Sequence, residues 1–313
     1  MATPTFATPL PQSPRSEILE WRFPPPHHRH VLTGRSRAAW HTSFVVPQLN
    51  LLLDAGLCVN RLRPRHVFLT HGHNDHVLLA PAFVVGRDPD DPPDVFCPTE
   101  MAPAFDAFVR ANALLNQGGL LGPEDAELSR LDTHVTHGLR PGDEVALRRA
   151  KDVVARAFAC DHTVPCLGYV FGTSTRRLRA EFAGRPGGEL RDLRRAGVEV
   201  TAPHWEPMFA FLGDTTAATL AAGPEWLVGG IPVVVTECSF LYQEHRAVAE
   251  RTKHTLWSDL EVVVRRWPAT TFVLMHFSLR YSEEEIRRFF KEMVDPPGNI
   301  VVWVDGEDEG GTD

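Results

Sequence analysis

Seven residues, Thr70-His71-Gly72-His73-Asn74-Asp75-His76, place three imidazoles and a carboxylate close together in the chain. No single face of a strand or helix can present all four. A tight loop can, with His71 and His73 turned one way and Asp75 and His76 another. Imidazole nitrogen and carboxylate oxygen are ligands of Zn²⁺ and of other first-row divalent ions. Two such groups side by side would hold two metals. The loop follows Val67-Phe68-Leu69, an apolar run that reads as a buried strand ending in a polar turn.

Other residues of the same chemistry also stand just after apolar runs. His162 follows a strand expected over Val153–Cys160, and Asp214 one over Met208–Leu212. Glu237 follows Val233–Val235, and His276 follows Thr271–Met275. His254 falls near the middle of a helical stretch over Gln243–Trp267. Ligand types gathered at strand ends are how an α/β sheet sandwich builds a site.

The elements that must position these residues change character along the chain. Early strands are expected at His30–Thr33, Thr42–Val46, Leu49–Leu53 and His66–Leu69, then Val95–Cys97 and a helix over Pro103–Gln117. Further strands are expected at Thr133–His137, Glu144–Leu147 and Gly168–Phe171. Strand–helix alternation follows, with helices over Thr216–Leu227 and Glu283–Met293 and a closing strand at Ile300–Val304. His27, His28, His30, His134 and His137 read as surface residues. The organisation expected is a flexible N-terminal tail over 1–29, one hydrolase-type domain over 30–305, and an acidic tail over 306–313.

Composition narrows the function classes. A net charge of −8 excludes a global basic field for nucleic acid, so contact with phosphates requires a local patch. The segment 173–207 supplies one, with Arg176, Arg177, Arg179, Arg185, Arg191, Arg194 and Arg195; a solvated helical face is the plainer reading of the same residues. Cys58, Cys97, Cys160, Cys166 and Cys238 form no CxxC pair, which points to free thiols in a reducing compartment. No run reaches the roughly 20 apolar residues of a membrane-spanning helix. The stretch Met1–Arg15 has no apolar core of a secretory signal, so an intracellular, cytoplasmic location is expected, with organelle targeting left open.

His-x-His-x-Asp-His after a strand resembles the signature of the metallo-β-lactamase superfamily. Three more segments are similar to those of ribonuclease Z, the endonuclease that trims the 3′ trailer of precursor tRNA. They are Asp-His-Thr-Val-Pro-Cys-Leu-Gly-Tyr around His162, Phe-Leu-Gly-Asp-Thr around Asp214 and Leu-Met-His-Phe-Ser-Leu-Arg-Tyr around His276. The resemblance covers roughly residues 30–305 and implies an αββα sandwich, two mixed β-sheets flanked by helices. It implies two Zn²⁺ ions, with Mn²⁺ or Fe²⁺ as alternatives. His71, His73 and His162 would hold one, Asp75, His76 and His276 the other, and Asp214 would bridge them.

The same resemblance implies a phosphodiesterase in which metal-bound hydroxide attacks phosphorus. Asp75, His254 and Glu237 form its catalytic set, with His254 as the acid and Glu237 orienting it. Where ribonuclease Z reads His-Glu-Ala-Thr this chain reads Thr236-Glu237-Cys238-Ser239, so the glutamate is kept and its histidine neighbour is not. The family's long Gly/Pro-rich arm looks shortened here. An acidic Gly-rich stretch after Asp54-Ala55-Gly56 is missing, and Leu79 stands where a glycine is usual. Two substrate readings therefore stand. One is precursor tRNA, held by Arg176, Arg177, Arg179, Arg191, Arg194 and Arg195; the other is a small phosphodiester or other ester without tRNA processing. A homodimer is expected on the family resemblance alone.

Overall fold

The structure is a computed structural model that describes residues 18–58, 63–120, 133–150 and 152–305. Residues 1–17 and the acidic tail 306–313 lie outside the described residues. Two seven-stranded sheets face each other. The first runs in chain order: β1 Leu19–Arg22, β2 Val31–Arg37, β3 His41–Val46, β4 Leu51–Leu53, β5 His66–Phe68, β6 Asp94–Pro98 and β7 Val135–Leu139. Strands β1 to β4 are antiparallel and β4 to β7 parallel. The second sheet holds β8 Glu144–Ala146, β9 Val153–Ala159, β10 Leu167–Leu178, β11 Thr201–Phe211, β12 Val233–Glu237, β13 Thr271–Met275 and β14 Ile300–Val302. Its β8 to β11 are antiparallel and β11 to β14 parallel.

Alternation along the strands builds the layer between the sheets. Phe44, Phe68, Tyr169, Phe171, Phe209 and Phe211 are fully buried there. Phe171 and Phe209 stack at 4.7 Å, and Phe68 meets Tyr169 and Phe171 edge-on. Each such ring is worth about 1.5–3 kcal/mol of transfer free energy. The outer faces are covered by helices: α1 Asn74–Val77, α2 Ala80–Val84 and α3 Ala102–Asn116 on the first sheet. On the second lie α5 Ala218–Ala221, α6 Glu225–Val228, α8 Trp257–Arg266 and α9 Glu283–Lys291. Helix α9 starts where the Ser282 hydroxyl accepts the Glu285 N–H, with Glu283 and Glu284 in its first turn and Arg288 and Lys291 in its last. The fold is the αββα sandwich.

Several expectations change on contact with the structure. Residues 19–22, placed in the tail, form β1 and pair with β2. His30, read as a surface residue, is buried at 3% exposure beneath Phe23. His134 and His137 are half-buried, bonded to Asp106 and Asp94. The helix over Thr216–Leu227 is two short ones, because Gly223 (φ +66°) and Pro224 interrupt it. The helix over Gln243–Trp267 is also broken. It comprises α7 Arg246–Thr252 and α8, parted at Lys253, whose φ is +53°.

The largest difference lies at 173–207. Strands β10 and β11 run on past the sheet as a two-stranded ribbon, paired with each other alone from Ser174↔Trp205 to Leu178↔Thr201. The register shifts at Phe171/Gly172, where a Cβ on Gly172 would lie 2.6 Å from the Trp205 ring. The ribbon tip carries α4 Gly187–Arg195. This is an arm built from a β-ribbon and a helix.

Candidate metal centre

The candidate ligands and Glu237 emerge at the carboxyl ends of strands or in the segments that directly follow them. His71 and His73 leave β5, while Asp75 and His76 sit on the first turn of α1. His162 occupies the β9–β10 turn and Asp214 follows β11. Glu237 ends β12, and His276 follows β13 with φ +61°. A left-handed backbone at a non-glycine residue is strained and is typical of functional sites. Two glycines permit the close approach of these turns. A Cβ on Gly56 would overlap the Asp75 carbonyl, and one on Gly213 would lie 2.5 Å from Thr70 Cβ and 2.8 Å from Cys166 Sγ.

The candidate ligand atoms converge in two groups. In the first, His71 Nε2 and His73 Nδ1 are 3.1 Å apart, and His162 Nε2 lies 3.3 Å from His73 Nδ1. Asp214 Oδ2 faces them at 3.7 Å from His71 and 3.9 Å from His162. In the second, His276 Nε2 lies 3.3 Å from both His76 Nε2 and Asp75 Oδ2. Asp214 Oδ1 stands 3.2 Å from His76 Nε2 and 3.4 Å from His276 Nε2. Buried Asp214 Oδ1 makes no hydrogen bond among the described residues.

Bare imidazole nitrogens aimed at one point gain nothing from one another. Ligands about 2.0–2.1 Å from a tetrahedral ion stand roughly 3.3 Å apart, which matches these separations. The donor set therefore fits divalent metal, with one carboxylate oxygen of Asp214 turned to each group.

The surrounding residues hold this arrangement. Asp54, the last residue of the β4 turn, is fully buried and accepts from His76 Nδ1 at 2.8 Å and from the Thr70 N–H at 2.8 Å. That bond leaves His76 Nε2 as the free ligand atom. The Ala39 N–H donates to Asp75 Oδ2 at 2.9 Å, and the Lys253 carbonyl lies 3.3 Å from His162 Nδ1. Lys253 Nζ in turn reaches Asp161, beside His162, at 2.8 Å.

Charge is balanced by proximity. Burial would raise Asp214, but the imidazoles of His276, His76 and His71 hold it well below the usual carboxylate range. Burial would lower His76, and the carboxylates of Asp214 and Asp54 instead raise it well above the usual histidine value. Burial, with His76 beside it, pushes His71 well down.

His254 stands next to both groups, in the break between α7 and α8. Its ring lies 5.2 Å from that of His162 and stacks at 5.5 Å on His276. Its Nδ1 is 2.9 Å from Glu237 Oε1. Burial would depress its pKa, and the Glu237 carboxylate overrides that and raises it to about 9. Glu237 is fully buried and accepts four hydrogen bonds, from Thr215 N, His254 Nδ1, Ser239 Oγ and Thr255 N. Thr236 Oγ1, where the resembled motif has histidine, is buried without a hydrogen bond among the described residues.

The groups open into a cleft of about 790 Å³ lined by Ala39, Phe240, Arg251, His254, Ser278 and Arg280 among others. Neither Arg251 nor Arg280 has a carboxylate partner among the described residues. The arm differs. Arg176 pairs with Glu199, Arg177 with Glu206, Arg179 with Glu181, Arg185 with Glu189 and Arg195 with Asp192. Arg191 and Arg194 on α4 are its unpaired cations among the described residues. Asp54, Ser239, the Lys253 carbonyl and Arg251 were not singled out from sequence. Of these only Asp54 left a signal there, a carboxylate directly after an apolar strand.

No family model matches the chain. It is 29% identical over 265 residues to the chloroplastic tRNase Z TRZ2 of Arabidopsis thaliana, spanning 82% of this chain and 70% of that protein. It is 30% identical over 175 residues to the nuclear ribonuclease Z of Triticum aestivum, spanning 55% of this chain and 92% of the relative. It is 30% identical over 242 residues to the ribonuclease Z of Kineococcus radiotolerans, spanning 72% and 71%. With these relatives matched across most of their length, and with the sandwich and its cluster of histidines and aspartates in place, the chain belongs to the ribonuclease Z family of metal-dependent hydrolases.

Proposed function

We propose that this protein is a two-zinc phosphodiesterase that cuts RNA, with precursor tRNA as its substrate. The observation that carries the reading is Asp214, whose two oxygens face two separate ligand groups while His254 stands beside both. In this reading His71, His73 and His162 hold one ion, Asp75, His76 and His276 the other, and Asp214 is shared. Bound there, two divalent cations supply Lewis-acid catalysis of phosphodiester hydrolysis at neutral pH.

The chain's own residues do the rest. His254, kept protonated by Glu237, donates its proton to the departing 3′-oxygen. Glu237, held by three other donors, fixes the ring so that its other nitrogen, Nε2, is available. Asp54 and the Lys253 carbonyl keep His76 and His162 aimed at the centre.

The substrate reading rests on where unpaired positive charge sits. Arg251 and Arg280 line the cleft itself, where a phosphate next to the one being cut would lie. A small diester has no second phosphate to offer them. On the arm, Arg191 and Arg194 face solvent directly, and the ion pairs of Arg176, Arg177, Arg179 and Arg195 are exposed. Exposed pairs are worth about 0–1 kcal/mol, so a phosphate can displace the carboxylate.

Relatives named as tRNase Z and ribonuclease Z support tRNA over other RNA, and one of them is chloroplastic. The setting proposed is any compartment that matures tRNA, cytosol or organelle. The homodimer belongs to the same proposal, on family resemblance alone.

The test is cleavage by the zinc-loaded protein of a precursor tRNA and, separately, of bis(p-nitrophenyl) phosphate. Cutting of both supports the proposal. Cutting of the small ester alone favours a small-diester hydrolase, and cutting of neither with two metals bound defeats both readings.

A further inference from the structure

Ser239 stands two residues beyond Glu237, just past β12, and is 1% exposed. Its Oγ lies 2.5 Å from Glu237 Oε2, 3.1 Å from His276 Nδ1 and 2.9 Å from the His276 carbonyl oxygen. A hydroxyl has one proton to give. Given to the carbonyl, it would leave two lone-pair oxygens, Ser239 Oγ and Glu237 Oε2, facing each other at 2.5 Å. Given to Glu237, it makes the shorter, charge-assisted bond, leaves the His276 carbonyl at 2.9 Å without that proton, and turns an Oγ lone pair towards His276 Nδ1. His276 Nδ1 must then be the donor to Oγ. Its Nε2, which faces Asp75 and Asp214, is thereby left as the free ligand atom.

The bonds form one line: His276 Nδ1–H to Ser239 Oγ, Ser239 Oγ–H to Glu237 Oε2, and His254 Nδ1–H to Glu237 Oε1. We propose that Ser239 is a positioning residue that serves both halves of the site, fixing the tautomer of His276 for metal and the carboxylate of Glu237 for His254. The inference rests on the two-metal reading above. It adds that the acid pair and one metal group are joined through a single buried hydroxyl. Asp54 gives His76 its tautomer by a carboxylate; Ser239 gives His276 its tautomer by an alcohol already committed to the acid's partner.

The test compares Ser239→Ala and Ser239→Thr with wild type in two readouts. One is metal affinity by chelator competition. The other is turnover of bis(p-nitrophenyl) phosphate at saturating zinc. In the alanine variant one of the two bound ions should be held about 10–100-fold more weakly. With metal restored to saturation, kcat should still fall about tenfold or more at unchanged KM. Threonine, which keeps the hydroxyl, should restore both. A loss in only one readout overturns the coupling, as does no loss in either, or a folded threonine variant that fails to recover. If the alanine variant does not fold, Ser239→Cys keeps the volume with a much weaker donor and should show the same double loss. A wild-type protein that binds two ions yet cuts no phosphodiester defeats the functional reading instead. The metal affinity of Ser239→Ala then decides the claim about His276, and an unchanged value overturns it.

Discussion

Glu237 Oε1 lies 2.9 Å from His254 Nδ1, deep in a carboxylate pocket closed by two backbone N–H groups and one hydroxyl. The pairing holds the His254 imidazole beside two clusters of candidate metal ligands, where burial disfavours its charge and the Glu237 carboxylate, with Asp214, favours it. In the function proposed above, this relationship is what adds an acid to the metal chemistry.

Removing His254 should separate binding from chemistry. In His254→Ala, kcat is expected to fall about 10²–10⁴-fold, the usual contribution of a positioned acid, with two metals still bound. Near wild-type turnover in that variant would sink the acid role.

The pH profile carries the sign of the shift. A group whose pKa is raised keeps its proton until pH climbs through the raised value, so activity that needs His254 protonated should decline above about pH 9. In Glu237→Gln the supporting charge is gone, while burial still disfavours the cation. The decline should move down towards or below the ordinary histidine value of 6.5. A profile unmoved by the substitution would contradict the pairing.

Asp54 touches the centre directly through His76, and reaches His71 only by way of the Thr70 hydroxyl. Asp54→Asn keeps the shape but loses the charge, and is expected to weaken the metal held by the Asp75, His76 and His276 group about 10–100-fold. Competition against a zinc chelator measures this. Unaltered affinity for both ions would show that Asp54 only buttresses the turn.

Arg251 and Arg280 should matter in proportion to substrate length. Arg251→Ala and Arg280→Ala are each expected to raise KM for precursor tRNA and to lower the salt dependence of binding by about one counterion. Hydrolysis of bis(p-nitrophenyl) phosphate should hardly change. Equal losses on both substrates would place these arginines in the general architecture of the cleft.

How far the sequence carried this account depended on where the signal was local. The order of apolar runs and the ligand types at their ends were visible in the chain, and the αββα class followed from the family resemblance. The loop from His71 to His76 is dense enough to be read alone. His254 was harder to place, because periodic apolar residues from Gln243 to Trp267 hide the left-handed turn at Lys253 that puts it in a break rather than mid-helix. The conformation of the segment 173–207 was not legible either. Pro203 and Pro207 both lie in β11, which runs into a ribbon beyond the body of the sheet, where a proline is tolerated and leaves no strand signal in the chain. Ser239 and Asp54 act through partners up to 37 residues away, and no spacing in the chain announces such contacts.

The most direct measurement is metal stoichiometry by equilibrium dialysis and elemental analysis of the wild-type protein, His71→Ala and His276→Ala. Two divalent ions per chain are predicted for wild type, with each variant losing tight binding of one and retaining the other more weakly through Asp214. A single ion in the wild type, or full occupancy in either variant, would contradict the paired centre on which the account stands.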